Sequence, residues 1–465
     1  MQHNGHKLFE FFIQFDQKTL AKAKKLLLSG YFNAEKIGLD LFDYLADSKN
    51  KSQLGQIKYM EVFEKISPQK KIKDAYARMI MARLQDFMEK FIAIEFGLEN
   101  ELMIPKIMRQ FGLNKNYVFL LNKLHQKQPH FNNLDAIYNQ IELFEELNNK
   151  IYKFEKSNIS KIHQYTMESD RLFDYYFVLS KLKSYITLSN FQRVAGLEFN
   201  IQFEKEIKDI IHSTQFDDID IINIYKNCYK MQFERDETSF KYLKNVLVKK
   251  EFQLEIEEKK EINVLMNNYC IAQINAQNFD YFNELFSLYK NAVEEKLILE
   301  ENIIVQSTFR NYVQTALRVD EVEWAKNFVR ENTNYLKKEE KETAVAYAMA
   351  MISFKEQKYK ETIEYLQRVS FTDFQYDMQA RILLSKAYFE LKEFDSLEYL
   401  VKSSLKFLQR ESMINQSIKQ SYKNFLNFML KLIDQQLIKK SKNLAADIAQ
   451  EKLVAEKAWL IEKVK

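Results

Sequence analysis

An all-α fold is expected for this chain, and three observations lead there: the scarcity of glycine and proline, where the few of them fall, and the helical spacing of the apolar residues. The 465 residues hold 7 Gly and 3 Pro, against about 33 and about 23 from average usage. The last proline is Pro129 and the last glycine is Gly196, so residues 197–465 contain neither. Tight β-hairpins need glycine at positive φ, and doubly wound sheets need it where strand passes into helix. A stretch of that length without either residue reads as helices joined by short polar turns. The architecture expected is antiparallel helix hairpins stacked into a right-handed solenoid, preceded by an N-terminal helical cluster.

In chain order, residues 1–130 form the N-terminal helical domain, with helices over Leu8–Phe15 and Leu20–Leu28 ended by Ser29-Gly30. Asn33 caps a helix to about Ala46, Ile57–Ile66 follows, and Ser67-Pro68 leads to a long helix near Ile72–Phe96. That helix spaces Tyr76, Met79, Ile80, Arg83, Leu84 and Phe87 at helical intervals. From 131 to 441 a run of hairpins is expected, with turns marked by Asn133-Leu134-Asp135, Asp217-Asp218, Asp236, Asp320 and Asp373, residues suited to helix N-caps. Phe309, Tyr312, Val313, Ala316 and Leu317 make one continuous buried stripe. Ala346, Met349, Ala350 and Phe354 repeat it, as do Ala380, Leu383, Leu384, Ala387, Tyr388 and Leu391. Residues 442–465 form a C-terminal capping helix, with Leu444, Ile448, Ala455 and Trp459 on one side.

Ala346 to Ala380 and Phe354 to Tyr388 are each 34 residues apart, and the aromatics opening the partner helices, Trp324, Tyr359 and Phe394, are 35 apart. This layout over about 305–410, with the run Phe354-Lys355-Glu356-Gln357-Lys358-Tyr359, resembles the tetratricopeptide repeat. The chain departs from that pattern where Tyr347 or Arg381 replaces the family's usual tryptophan and Met351 or Ser385 its glycine. Ser29-Gly30-Tyr31-Phe32-Asn33 and Ala458-Trp459-Leu460 also make the chain similar to a group of uncharacterised bacterial all-helical proteins. The tetratricopeptide resemblance implies protein binding in a groove on the inner helices. In the repeat register that groove takes Ala348, Ile352, Lys355, Gln379, Ile382, Lys386 and Phe389.

Chemistry is sparse. Walker and dinucleotide loops need glycines that this chain lacks. The six histidines, His3, His6, His125, His130, His163 and His212, have no short metal-ligand spacing. Cys228 and Cys270 read as small core residues. Carboxylates recur at helical spacing (Glu142 with Glu145, Glu257 or Glu258 with Glu261), a pattern that normally marks a solvated or lysine-paired face. No metal, no small-molecule cofactor and no catalytic residue is expected.

Lys+Arg number 69 and Asp+Glu 65, a net +4 with no whole-protein pull toward polyanions. Residues 1–130 carry 21 basic and 14 acidic residues, however. Ile57–Ile66, the turn and the helix from Ile72 have helix-turn-helix proportions, so Lys70, Lys71, Lys73 and Arg78 (with Arg83 beyond) offer a nucleic-acid alternative. The polar opening segment, the two cysteines and the lack of about 18 successive apolar residues point to a cytoplasmic chain with no membrane span. The leading expectation is a non-enzymatic scaffold or adaptor that binds a protein or peptide.

Overall fold

The computed structural model describes residues 8–32, 35–47, 54, 57–69, 72–95, 102–127, 130–155, 158–195, 200–248, 253–368, 374–410, 415–438 and 444–464. Among the described residues there are 23 α-helices and no β-strand, only an isolated bridge between Glu300 and Ile303. The fold is all-α. The chain divides into two compact units, one of residues 1–129 and 135–176, the other of residues 130–134 and 177–465.

In the first unit the Asp74–Glu95 helix packs on four shorter ones, Leu8–Gln14, Gln17–Leu27, Lys36–Ala46 and Tyr59–Ile66. Its buried residues Ala77, Ile80, Met81, Leu84, Phe87, Met88 and Phe91 recur every three or four positions, which makes one apolar seam. Tyr76 and Met79, set at helical intervals with these residues by the sequence pattern, lie on the exposed side of that seam. Asp16 caps the second helix by accepting the Thr19 amide hydrogen at 2.7 Å. The expected cap Asn33 lies outside the described residues. A second core forms around buried Tyr117, Leu121 and Leu147. Beside it the Arg109 guanidinium forks onto the Glu146 carboxylate with two bonds of 3.0 Å.

In the second unit, each helix from Ile256 to Ile438 packs on its successor. The first helices of successive pairs also pack on one another: Gln306–Arg318 on Lys338–Lys355, that helix on Phe374–Glu390, and that one on Gln416–Ile438. The expected stripe Phe309, Tyr312, Val313, Ala316 and Leu317 is buried throughout. Tyr312 stacks on Tyr289 at 3.8 Å, and Phe309 meets Phe328 at 5.1 Å. The aromatic pairs across the turns recur at an interval of 35 residues: Phe354 with Tyr359 at 5.3 Å, and Phe389 with Phe394 at 6.1 Å, each edge-on.

Five turns of the second unit are closed without glycine. Gln277, Lys296, Asp320, Gln357 and Lys392 all sit at φ between 57° and 72°, the left-handed region. After each, the next residue's amide returns to the carbonyl five residues back: Asn278 to Gln273, Leu297 to Ala292, Glu321 to Ala316, Lys358 to Ser353 and Glu393 to Tyr388, at 2.8–3.0 Å. This is the Schellman closure of a helix C-terminus, with an ordinary side chain where glycine is usual. Asp236 does cap its helix, accepting the Thr238 and Ser239 amides. Asp320 serves instead as one of the left-handed residues, its carboxylate 2.5 Å from Lys355.

The left-handed conformation costs an L-residue about 1–2 kcal/mol, and glycine returns about 0.4–1 kcal/mol of that to unfolded-chain entropy. Changing the exposed residues Gln277, Lys296, Gln357 and Lys392 together to glycine is therefore expected to raise the melting temperature of this unit by about 3–6 °C, read by calorimetry. A fall in melting temperature would show that these turns carry no strain.

The single helix expected over about 443–463 is two, Leu444–Gln450 and Lys457–Val464. Neighbouring side chains and backbone satisfy the intervening segment and so end the first helix. Lys457 Nζ donates to the Ala449 and Glu451 carbonyls at 2.7 and 2.8 Å. Asn424 donates to the Leu453 carbonyl at 2.8 Å, and the Ala455 amide reaches the Ser421 carbonyl at 3.2 Å.

Candidate functional site

A cavity of about 600 Å³ lies in the second unit. Three helices contribute corresponding faces to it: Gln314 and Arg318 from the first, Tyr347, Met351 and Lys355 from the second, Gln379, Ile382, Lys386 and Glu390 from the third. Spacings of three and four place each set on one side of its helix. The opposite wall is the C-terminal segment, through Ala455, Glu456, Trp459, Glu462 and Lys463.

The C-terminal segment is tied to the helices by charge as well as by apolar packing. Lys386 Nζ is 2.7 Å from the Glu456 carboxylate, and its side chain is only 11 % exposed. The same ammonium lies 4.8 Å from the Phe354 ring centroid and 5.5 Å from that of Trp459. Trp459 meets Phe389 edge-on at 5.5 Å, and Lys463 binds Glu390 at 2.7 Å. Burial alone would push the Glu456 carboxyl up, but the adjacent Lys386 outweighs it and holds the pKa below the usual glutamate value. A depressed carboxylate contributes stability above its unfolded pKa, about 4.3, and that contribution is lost as pH falls through the lower folded value. Burial also raises the Tyr347 phenol, which stays neutral on the cavity floor.

Of the seven residues placed in the groove from sequence, Lys355, Gln379, Ile382 and Lys386 line this cavity. Ala348 and Ile352 are buried and do not, and Phe389 lies behind, against Trp459. The lining residues of the middle helix are Tyr347 and Met351, each one position earlier. That helix buries Ala344, Ala346, Tyr347, Ala348, Ala350, Met351, Ile352 and Ser353, on nearly every side. No polar stripe is left in its sequence to fix the register. Gln314, Arg318 and Glu456 were missed as well. The signal for the first two is a polar pair four residues apart beside an otherwise apolar stripe.

The basic residues of the first unit are differently placed. Lys70 and Lys71 lie outside the described residues, and Lys73 is exposed. Arg78 contacts Asp74 and Arg83 contacts Glu35. Elsewhere in the second unit Glu258 and Glu261, spaced for one helix face, converge on Lys183 at 2.9 Å each, with the Tyr225 hydroxyl beside both. Burial opposes the Lys183 charge, yet the two carboxylates outweigh it and hold its pKa above the ordinary lysine value. Glu142 is paired with Lys106 at 2.5 Å. Cys228 and Cys270 are free and buried, and burial pushes the Cys270 thiol up to about 12. His125 packs edge-on to Phe144 and Tyr165, and burial lowers its pKa.

Among the described residues no group of three His, Cys, Asp or Glu side chains could hold a metal ion, and no helix is long and apolar enough to cross a membrane. The chain matches no family model, no curated protein and no solved structure.

Proposed function

We propose that this chain is a non-catalytic adaptor, a divergent tetratricopeptide-like stack of helix hairpins that binds a segment of a partner protein in the groove between residues 314 and 390. One observation carries the reading: the 600 Å³ cavity is built from the equivalent faces of three successive first helices, the surface that stacked hairpins offer in common. Its volume lies in the range of specific ligand sites. Two free, buried cysteines suit a reducing compartment, so the cytosol is the proposed location. The nucleic-acid alternative has no comparable support, since carboxylates of the same unit engage Arg78 and Arg83.

The test is affinity capture from native cells with the full chain and with a Gln314→Trp variant, which fills the groove from an exposed helix position. At least one protein is expected to be retained by the unaltered chain and lost by the variant. If everything retained is indifferent to that substitution, or nothing is retained, the groove is not a binding site.

A further inference from the structure

Resting on that reading, we infer that the groove takes an acidic segment of its partner: an internal Asp or Glu carboxylate set on Arg318, with an aromatic or branched apolar side chain nearby against Met351 and Trp459. The argument begins with the charges that reach the cavity. Lys386 is in contact with Glu456, Lys463 lies between Glu390 and Glu462, and Lys355 binds Asp320. Arg318 is the remaining cation. Its nearest carboxylate oxygen, on Glu456, is 3.9 Å away, beyond hydrogen-bond reach, and 48 % of its side chain is exposed. Its guanidinium makes no hydrogen bond to the described residues. A guanidinium offers five donors in a planar fork matched to a carboxylate, so an acidic side chain is the complementary group.

Gln314 stands one helical turn back on the same face and adds an amide that can donate or accept. Next to this ledge the chain shows how the groove handles such a group. Glu456 places a carboxylate on Lys386, and Trp459, three residues later, lies against Phe389 beneath the same ammonium. A partner segment with an acidic residue and an apolar ring close by in sequence would repeat that arrangement at Arg318. One carboxylate, Glu456, now serves both Lys386 and Arg318, so the basic end of the groove has room for a second negative charge.

The test is selection of random, C-terminally amidated 12-residue peptides on the full chain, followed by affinity measurements on the enriched peptides. The expected result is enrichment of Asp or Glu near an aromatic, with affinity that falls as salt rises. Arg318→Gln is expected to weaken those peptides about tenfold, equivalent to about 1.4 kcal/mol. Arg318→Glu should abolish their binding and leave the helical circular dichroism unchanged. Peptides that need the open groove (lost on Gln314→Trp) but show no acidic preference, or tolerate Arg318→Glu, overturn this inference and leave the binding reading intact. Selection of no peptide that responds to Gln314→Trp overturns both. Displacement of the peptides by millimolar citrate or inorganic phosphate alone would make Arg318 a small-anion site and end the peptide proposal.

Discussion

Asp217→Ala is expected to destabilise the 177–465 unit by about 2–3 kcal/mol, less than for a wholly buried pair because the Asp217 side chain is 44 % exposed. Lys226 is 1 % exposed, and its ammonium is held by the Asp217 carboxylate and by the Ser213 and Gln215 carbonyls at 2.8 and 3.1 Å. These three acceptors lie in the turn after the Glu204–His212 helix, where Phe216 adopts φ 64°, a costly conformation for a bulky residue. The lysine clamps that turn from inside. With the carboxylate gone, the cation keeps only two carbonyls. Adding Lys226→Met to Asp217→Ala should recover at least half of the loss, because an unsatisfied charge is then replaced by apolar volume. Denaturant titration of the two variants checks this. A double variant no more stable than the single one would show that the turn depends on the lysine's bonds to the carbonyls and not on the charge balance.

Phe309→Ala is expected to cost more, about 3–5 kcal/mol, for a different reason. The ring is fully buried against Phe328, beside the Tyr289–Tyr312 stack, where two consecutive helix pairs meet. Truncation leaves a cavity in close-packed surroundings, so lost contacts add to lost burial. Phe309→Leu retains most of the volume and should cost well under half as much. Equal losses for the two substitutions in denaturant titration would mean that ring geometry, not filled space, decides the packing there.

The stripe containing Phe309 was legible from sequence because the Gln306–Arg318 helix buries one side and exposes the other, which leaves the 3.6-residue period intact. The same method slipped by one position at Ala348 and Ile352, in a helix enclosed on most sides, where apolar residues run almost without a break. Asp236 was readable as a cap because its chemistry is local. Asp320 has the same side chain and a different job, settled by Lys355, 35 residues away. Distance in sequence hid Glu456 too. Nothing around Glu456-Lys457-Ala458-Trp459 marks it as a wall of the groove, since its partners Lys386 and Phe389 lie about 70 residues upstream. Pairings of that span follow from how helices stack, and composition and periodicity do not record them.

The five matching turns also keep successive helices in register. A helix rotates by about 100° per residue, so adding or deleting one residue at Gln357 or Lys392 would turn the helix that follows, Tyr359–Gln367 or Phe394–Arg410, out of register with the row beginning at Tyr347 or Gln379. A change of length in those connections therefore disturbs a whole row, whereas exchanging an exposed side chain such as Gln314 disturbs one position. The cavity lining can therefore be remade by exchanging residues at fixed positions, with the spacing between the turns left as it is.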